Sequence, residues 1–212
     1  SVYHTCVSNR RSAPDVHVCL GNALPPRSSR APILAKLCTF TFITRLDLDS
    51  NHIAVLPDEI GALTKLKHLG LNFNKLTTLP PSIGSLTALK TLWLHGNKLT
   101  AVPTTIGGMT ALTTLTLGGN ELVTLPDSIG QLTGLETLSL NNNKLAILPD
   151  SIGQLTGLTK LYLNNNNLTR LPDSIVGLRN LTVLTLTNAR AIHRGADVAP
   201  SNPNFSLSAQ ST

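Results

Sequence analysis

Aromatic residues make up only 3% of the 212-residue chain, with one Trp, two Tyr and four Phe. A core of this chain cannot rest on rings, so its 41% hydrophobic content, rich in Leu, must fill it instead. Charged side chains are equally scarce at 13%, yet the net charge is +6. That excess is local. Residues 1–42 carry Arg10, Arg11, Arg27, Arg30 and Lys36 against Asp15, a balance of +4, while 43–188 and 189–212 add +1 each. A basic leader without a basic face argues against a nucleic-acid partner.

Cysteine is confined to Cys6, Cys19 and Cys38, an odd count without a C-x-x-C pair, which excludes a zinc ribbon or a thioredoxin-type centre. His4 with Cys6 and His17 with Cys19 form two H-x-C pairs whose members would share a strand face. Their setting in a leader without other pattern favours coincidence, and neither a metal nor a cofactor is expected. No apolar run approaches the roughly eighteen residues that cross a bilayer. The stretch 31–43 is apolar, but Lys36 interrupts it and no signal-peptide layout precedes it. The first residue is Ser1 rather than Met, as expected of a fragment or a processed product. Phosphate-loop, nucleophile-elbow, zinc-protease and kinase signatures are all missing, and an open sheet would give His68 and His95 no desolvated pocket for acid–base work. No enzyme is expected.

What the chain does contain is a repeat. A 23-residue period begins at Ile43 and restarts at Leu66, Leu89, Leu112, Leu135, Leu158 and Leu181. Each full unit reads L-x-x-L-x-L-x-x-N-x-L-x-x-L-P-x-x-I-x-x-L-x-x. Its first half alternates, as in LETLSLNNN, where Leu138 and Leu140 oppose Thr137, Ser139 and Asn141; this is a short strand. Its second half spaces Leu148, Ile152, Leu155 and Leu158 as a helical stripe, opened by Pro149 and interrupted by Gly153, which predicts short or 3₁₀-like pieces. One unit cannot bury its own leucines, but stacked units can, through parallel strands on one face and helical turns on the other.

Position nine of the six full units is always Asn: Asn51, Asn74, Asn97, Asn120, Asn143 and Asn166. Where the chain leaves a strand beneath the leucines, backbone groups lose their ladder partners, and an amide that both donates and accepts can bridge adjacent turns. A structural ladder is therefore expected, with the preceding Asn142 exposed.

These units resemble the leucine-rich repeat family, over residues 43–188. The LPDSIGQLTGL form is most similar to its 23-residue, intracellular Ras-group-related subclass. That resemblance implies an α/β fold: a curved horseshoe solenoid, its parallel sheet on the concave face and short helical or 3₁₀ segments on the convex one. It further implies a non-catalytic interaction module, as in a signalling scaffold or adaptor, with a protein partner on the concave face. A small-GTPase pathway component or a phosphatase fits the resemblance as partner. The short Gly-Val-Tyr-Trp-like motif of the plant branch is absent. So are the cysteine-rich caps of the extracellular branch, which points to a cytoplasmic compartment. The alternative is the recognition segment of a larger receptor or kinase, extracellular if a signal peptide lies outside this sequence.

At the ends, residues 1–30 read as a structureless basic leader. Residues 31–42 read as a degenerate cap in which Ile33, Leu37, Phe40 and Ile43 keep helical spacing. Leu181, Leu184 and Leu186 give a seventh strand, and 189–212 read as a degenerate end and tail. On the exposed side of the strands, Thr, Ser and Gly are unremarkable, and Thr116 reads as a featureless neighbour of Trp93. Trp93 itself lies between two inward leucines and so faces the partner side. Phe73, His68 and His95 fall within one repeat of it, with Asp47 and Asp49 a strand further on. Aromatic rings beside polar groups have the composition of a binding hot spot. Tyr162 with Lys160 forms a second candidate patch.

Overall fold

The computed structural model describes residues 16–20, 30–187 and 206–208. Among the described residues, nine parallel strands run in sequence order through one sheet. Strand β1 is Val16–Cys19, followed by helix α1 at Arg30–Leu37 and β2 at Ile43–Asp47. Three-residue strands then recur once per repeat: β3 at His68–Gly70, β4 at Thr91–Trp93, β5 at Thr114–Thr116, β6 at Thr137–Ser139, β7 at Lys160–Tyr162 and β8 at Val183–Thr185. Strand β9 is Ser206–Ser208. From β2 to β8 the register steps by one repeat: Gly70 pairs with Trp93, Trp93 with Thr116, and Thr116 with Ser139. The central leucine of each of these strands, from Leu46 to Leu184, is buried. The residues flanking it face out, so the repeat period alone sets which side chains stand together on the concave surface.

Opposite the sheet, each LPxxI segment makes a five-residue 3₁₀ turn, as at Asp127–Gln131 and Asp150–Gln154. Pro126 and Pro149 stand at the N-caps in extended conformation, and Ile129 and Ile152 point into the core. Stacking on this side is close. A Cβ on Gly130 would lie 2.6 Å from the Ser151 carbonyl oxygen and 2.8 Å from the Ser151 Cβ, and Gly153 meets Ser174 in the same way. The same place in the last described turn is Val176, which is 54% exposed. A larger side chain is accepted there because no further described turn stacks on it. Gly130→Ala is therefore expected to lower stability by about 1–2 kcal/mol through overpacking against backbone. Val176→Ala, the exposed counterpart, should change the urea midpoint hardly at all.

The asparagine ladder is present. Asn120 accepts at Oδ1 from the Leu99 N–H, 3.0 Å, and donates from Nδ2 to the Leu94 and Leu117 carbonyls, both at 2.9 Å. Asn97, Asn143 and Asn166 repeat the pattern, and Asn74 bonds the Asn51 and Ile53 N–H groups. Asn142 is exposed, as its place in the unit requires.

The ends differ from the sequence reading in three respects. Val16–Cys19, within the leader expected to lack structure, pairs in parallel with β2, and Leu20 is in the core. The Leu20 carbonyl accepts from Asn51 Nδ2 at 2.7 Å, so this strand completes the ladder for the first repeat. In the cap, Leu34 and Cys38 are the buried positions of the helical segment, while Ile33 and Leu37 are only partly buried and Phe40 is exposed. The helix is thus rotated by one residue from the face that the spacing suggested. Burial, with the Glu59 charge adding to it, pushes the Cys38 thiol up to about 11, which leaves it a core side chain rather than a nucleophile. In the tail, Ser206–Ser208 pairs with β8. The first H-x-C pair, His4 with Cys6, lies outside the described residues, as do most of the leader and tail.

Candidate functional site

On the concave face, Leu92 and Leu94 are fully buried, which turns Trp93 outward as the alternation requires. Its neighbour on β3 is Gly70, where an added Cβ would meet Asp49 Oδ1 at 3.0 Å and Asp47 Oδ1 at 3.1 Å. The Arg45 guanidinium carbon stands 5.4 Å from the centre of the Trp93 ring, a cation–π contact made across the intervening strand.

The residues after the strands are less free than the sequence suggested. The position before each ladder asparagine is held in the left-handed region: Ser50 at φ 58°, Phe73 at 53°, Gly96 at 69°, Gly119 at 66°, Asn142 at 55° and Asn165 at 57°. Gly and Asn in this column meet a backbone requirement rather than a partner. Phe73 does not fit that explanation. A bulky side chain in this conformation costs about 1–2 kcal/mol per residue. Its ring lies over Gly96, where an added Cβ would come within 2.8 Å of Phe73 Cδ1, and meets the His95 imidazole edge-on at 5.2 Å. The ring nevertheless remains 58% exposed. Phe73→Asn is expected to leave stability within about 1 kcal/mol of the parent, because relief of backbone strain offsets the partial loss of ring packing. Thermal unfolding measures this. A large loss would show that the ring is a core element.

Polar groups fix the other wall. Asp49 accepts from the Asn72 N–H at 2.6 Å and from Asn72 Nδ2 at 3.0 Å, while Asn72 Oδ1 accepts from the His95 N–H at 2.9 Å. The Asp49 N–H donates to Asp47 Oδ1 at 3.1 Å. Burial raises the Asp49 pKa from its ordinary value; the Asn72 hydrogen bonds oppose this shift and the Asp47 charge adds to it.

Asp49, Asn72, Phe73, Trp93, His95, Thr116 and Ser139 together line one shallow depression of about 400 Å³. Of the residues singled out from sequence, the fold brings Trp93, Phe73, His95 and Asp49 into it, with Asp47 bonded behind Asp49. His68 sits in register with Arg45 and Thr91, beside the depression rather than in its lining. Tyr162 and Lys160 lie on β7, separated from β4 by β5 and β6. Asn72, Arg45, Thr116 and Ser139 were not singled out. Thr116 is far from featureless: it lines the depression, and its hydroxyl oxygen is buried without a hydrogen-bond partner. Its register beside Trp93 was the available signal. Among the described residues no group of three or more His, Cys, Asp or Glu could hold a metal ion, and no helix is long and apolar enough to cross a membrane.

A stack of strand–turn units presenting an open face of aromatic and polar side chains is a repeat-built recognition scaffold. The chain belongs to the leucine-rich repeat family: a leucine-rich repeat region model matches residues 27–146, and a leucine rich repeat model matches 133–190. No match was found among curated proteins. Among solved structures, a leucine-rich repeat protein of Leptospira interrogans is 32% identical with a TM-score of 0.55, over 80% of this chain and 47% of that one. The plant peptide hormone receptor RGFR1, solved in complex with RGF2, is 34% identical with a TM-score of 0.67, over 72% of this chain and 26% of that one. The ectodomain of the Arabidopsis thaliana membrane receptor kinase GASSHO1/SCHENGEN3, in complex with CASPARIAN STRIP INTEGRITY FACTOR 2, is 28% identical with a TM-score of 0.61, over 80% and 24%. The chain thus spans about half of the first protein's length and about a quarter of each receptor. Its fold is that of a protein–protein interaction module.

Proposed function

We propose that this chain is a non-catalytic binding module that holds a protein partner on its concave face, centred on the depression around Trp93. The observation that carries this reading is Phe73, kept in a strained backbone conformation with its ring exposed beside the single tryptophan. Strain of this kind is retained where a side chain is needed outside the core. Aromatic anchors flanked by hydrogen-bonding groups then supply area and specificity. An intracellular scaffold or adaptor in the cytoplasm is the role that the sequence resemblance favours.

A second reading, the recognition segment of a larger receptor, is favoured by the two plant receptors, each solved with its ligand and each about four times the span matched here. Both readings place the partner on the same surface. The test is steric. Ser139→Arg fills the depression from β6, whereas Thr133→Arg adds the same side chain to an exposed position outside the strands. Binding of the protein recovered on immobilised chain should fall at least about tenfold with the first change and stay at the parent level with the second. The reverse pattern would move the interface off the sheet.

A further inference from the structure

We propose that the concave site takes an acidic segment of its protein partner, held between two rows of lysine with an apolar side chain on Trp93 and Phe73; this rests on the concave-face reading above. The even balance of the solenoid, +1 over residues 43–188, conceals a division along the stack. Residues 43–59 hold Arg45 against Asp47, Asp49, Asp58 and Glu59, a balance of −3. Residues 60–120 hold Lys65, Lys67, Lys75, Lys90 and Lys98 and no carboxylate, a balance of +5. Residues 121–188 return to −1, with four bases against five acids. The cationic stretch is the one that carries Phe73 and Trp93.

The fold sorts four of these lysines into two rows. Lys67 and Lys90 directly precede β3 and β4, and the Lys90 N–H donates to the Lys67 carbonyl at 2.8 Å, so the two are neighbours where the strands begin. Lys75 and Lys98 directly follow the ladder residues Asn74 and Asn97, beyond the other ends of the strands. Lys67, Lys90 and Lys98 are exposed and Lys75 is partly so. Each row stops at a carboxylate in its own column. Glu121, one repeat beyond Lys98, is paired with Lys144 at 2.9 Å, and Glu136 stands two repeats beyond Lys90. Towards β2 the frame stops at Asp47 and Asp49, of which Asp49 is committed to Asn72 and feels the Arg45 charge. Carboxylates therefore bound the basic frame on both sides, and an acidic segment is drawn to one register over β3 and β4 and repelled from the next. A nucleic acid, whose phosphates need cations continued along the backbone, meets the bounding carboxylates instead. Lys90 and Lys98 are eight residues apart, at most about 26 Å by the rise of an extended chain, and an extended heptapeptide spans about 23 Å. Laid along β4, such a segment sets an acidic end on each row and its central side chain over the two rings.

The full chain reports on this directly, because Trp93 is its only tryptophan. Blocked heptapeptides Glu-Glu-Gly-Leu-Gly-Glu-Glu, the same with Gln for Glu, and the same with Lys for Glu are titrated against Trp93 emission at low ionic strength, beside an oligothymidylate. The Glu peptide should give a saturable shift and bind at least about tenfold more tightly than the Gln peptide, with the Lys peptide weakest. In about 1 M salt, where screening acts within roughly 3 Å, the preference should collapse. Lys90→Gln with Lys98→Gln takes one cation from each row and should weaken the Glu peptide about fivefold at an unchanged melting temperature. Arg170→Gln with Arg179→Gln, an equal loss of charge at exposed positions in the last repeat, should leave it at the parent level. Equal binding of the Glu and Gln peptides, an equal loss in both double variants, oligothymidylate bound as tightly as the Glu peptide, or no emission response to any peptide would overturn the assignment. The Ser139→Arg experiment separates the two levels. Loss of partner binding there without an acidic preference here discards only the charge of the segment, whereas intact partner binding there discards the concave site itself.

Discussion

Asn120→Ala is expected to destabilise the fold by about 3 kcal/mol, more than any other substitution considered. The Asn120 side chain is 7% exposed and serves two turns at once. Its removal leaves the Leu99 N–H without an acceptor and takes one of two donors from each of the Leu94 and Leu117 carbonyls, which keep Asn97 and Asn143, with the weaker 3.3 Å bond to Gly118 also lost. Water cannot reach the Leu99 N–H beneath a continuous leucine layer, so the desolvation penalty of that group is felt nearly in full, and the weakened carbonyl bonding adds to it. The proper comparison is Asn142→Gly. That residue is exposed and sits at φ 55°, so alanine there would add backbone strain unrelated to any ladder. Urea midpoints should separate the two variants clearly, with Asn142→Gly within about 0.5 kcal/mol of the parent. Equal losses would mean that the ladder carries no special share of stability.

Much of this architecture was legible because the repeat carries its own register. Once the period is 23, Leu92 and Leu94 must point inward, Trp93 must point outward, and Gly70 and Thr116 must flank it. The ladder followed from one invariant letter and from the hydrogen-bonding needs of a chain leaving a strand. Strand β1 was missed because VHVC lacks the leucine spacing of the repeat; only the alternation of Val16, Val18 and Leu20 marks it, and three residues of alternation occur in many loops. The cap helix was read one position off because Phe40 and Ile43 extended its spacing beyond Leu37, where the helix ends.

Within the site, two features required coordinates. The conformation of the column before the ladder asparagines turns apparently free Gly and Asn letters into backbone requirements, and only then does Phe73 stand out. The Arg45 contact joins side chains two strands apart, from β2 to β4, which no nearest-neighbour reading of the columns would produce. Asn72 looked ordinary for a different reason. Its importance lies in joining Asp49 to the His95 backbone, three residues from three successive repeats.

Trp93→Ala tests the central claim most directly. The indole is an outward side chain between two buried leucines, braced on one side by Arg45 and set in the lining of the depression with Phe73 and His95. A rigid ring loses little entropy on binding and offers a large contact area, so its truncation should weaken partner binding by about 2 kcal/mol, roughly thirtyfold. Folding should change by about 1 kcal/mol or less, because the loss is one cation–π contact and a partly exposed surface. Thr114→Ala is the control, on the same face of β5 but outside the lining of the depression; Thr116 is unsuitable because it belongs to that lining. The measurement is titration of the partner with parent, Trp93→Ala and Thr114→Ala proteins of matched melting temperature. The expected result is a roughly thirtyfold rise in Kd for Trp93→Ala alone; a Kd equal to the parent's would contradict a site centred on Trp93 and turn attention to Tyr162 and Lys160 on β7.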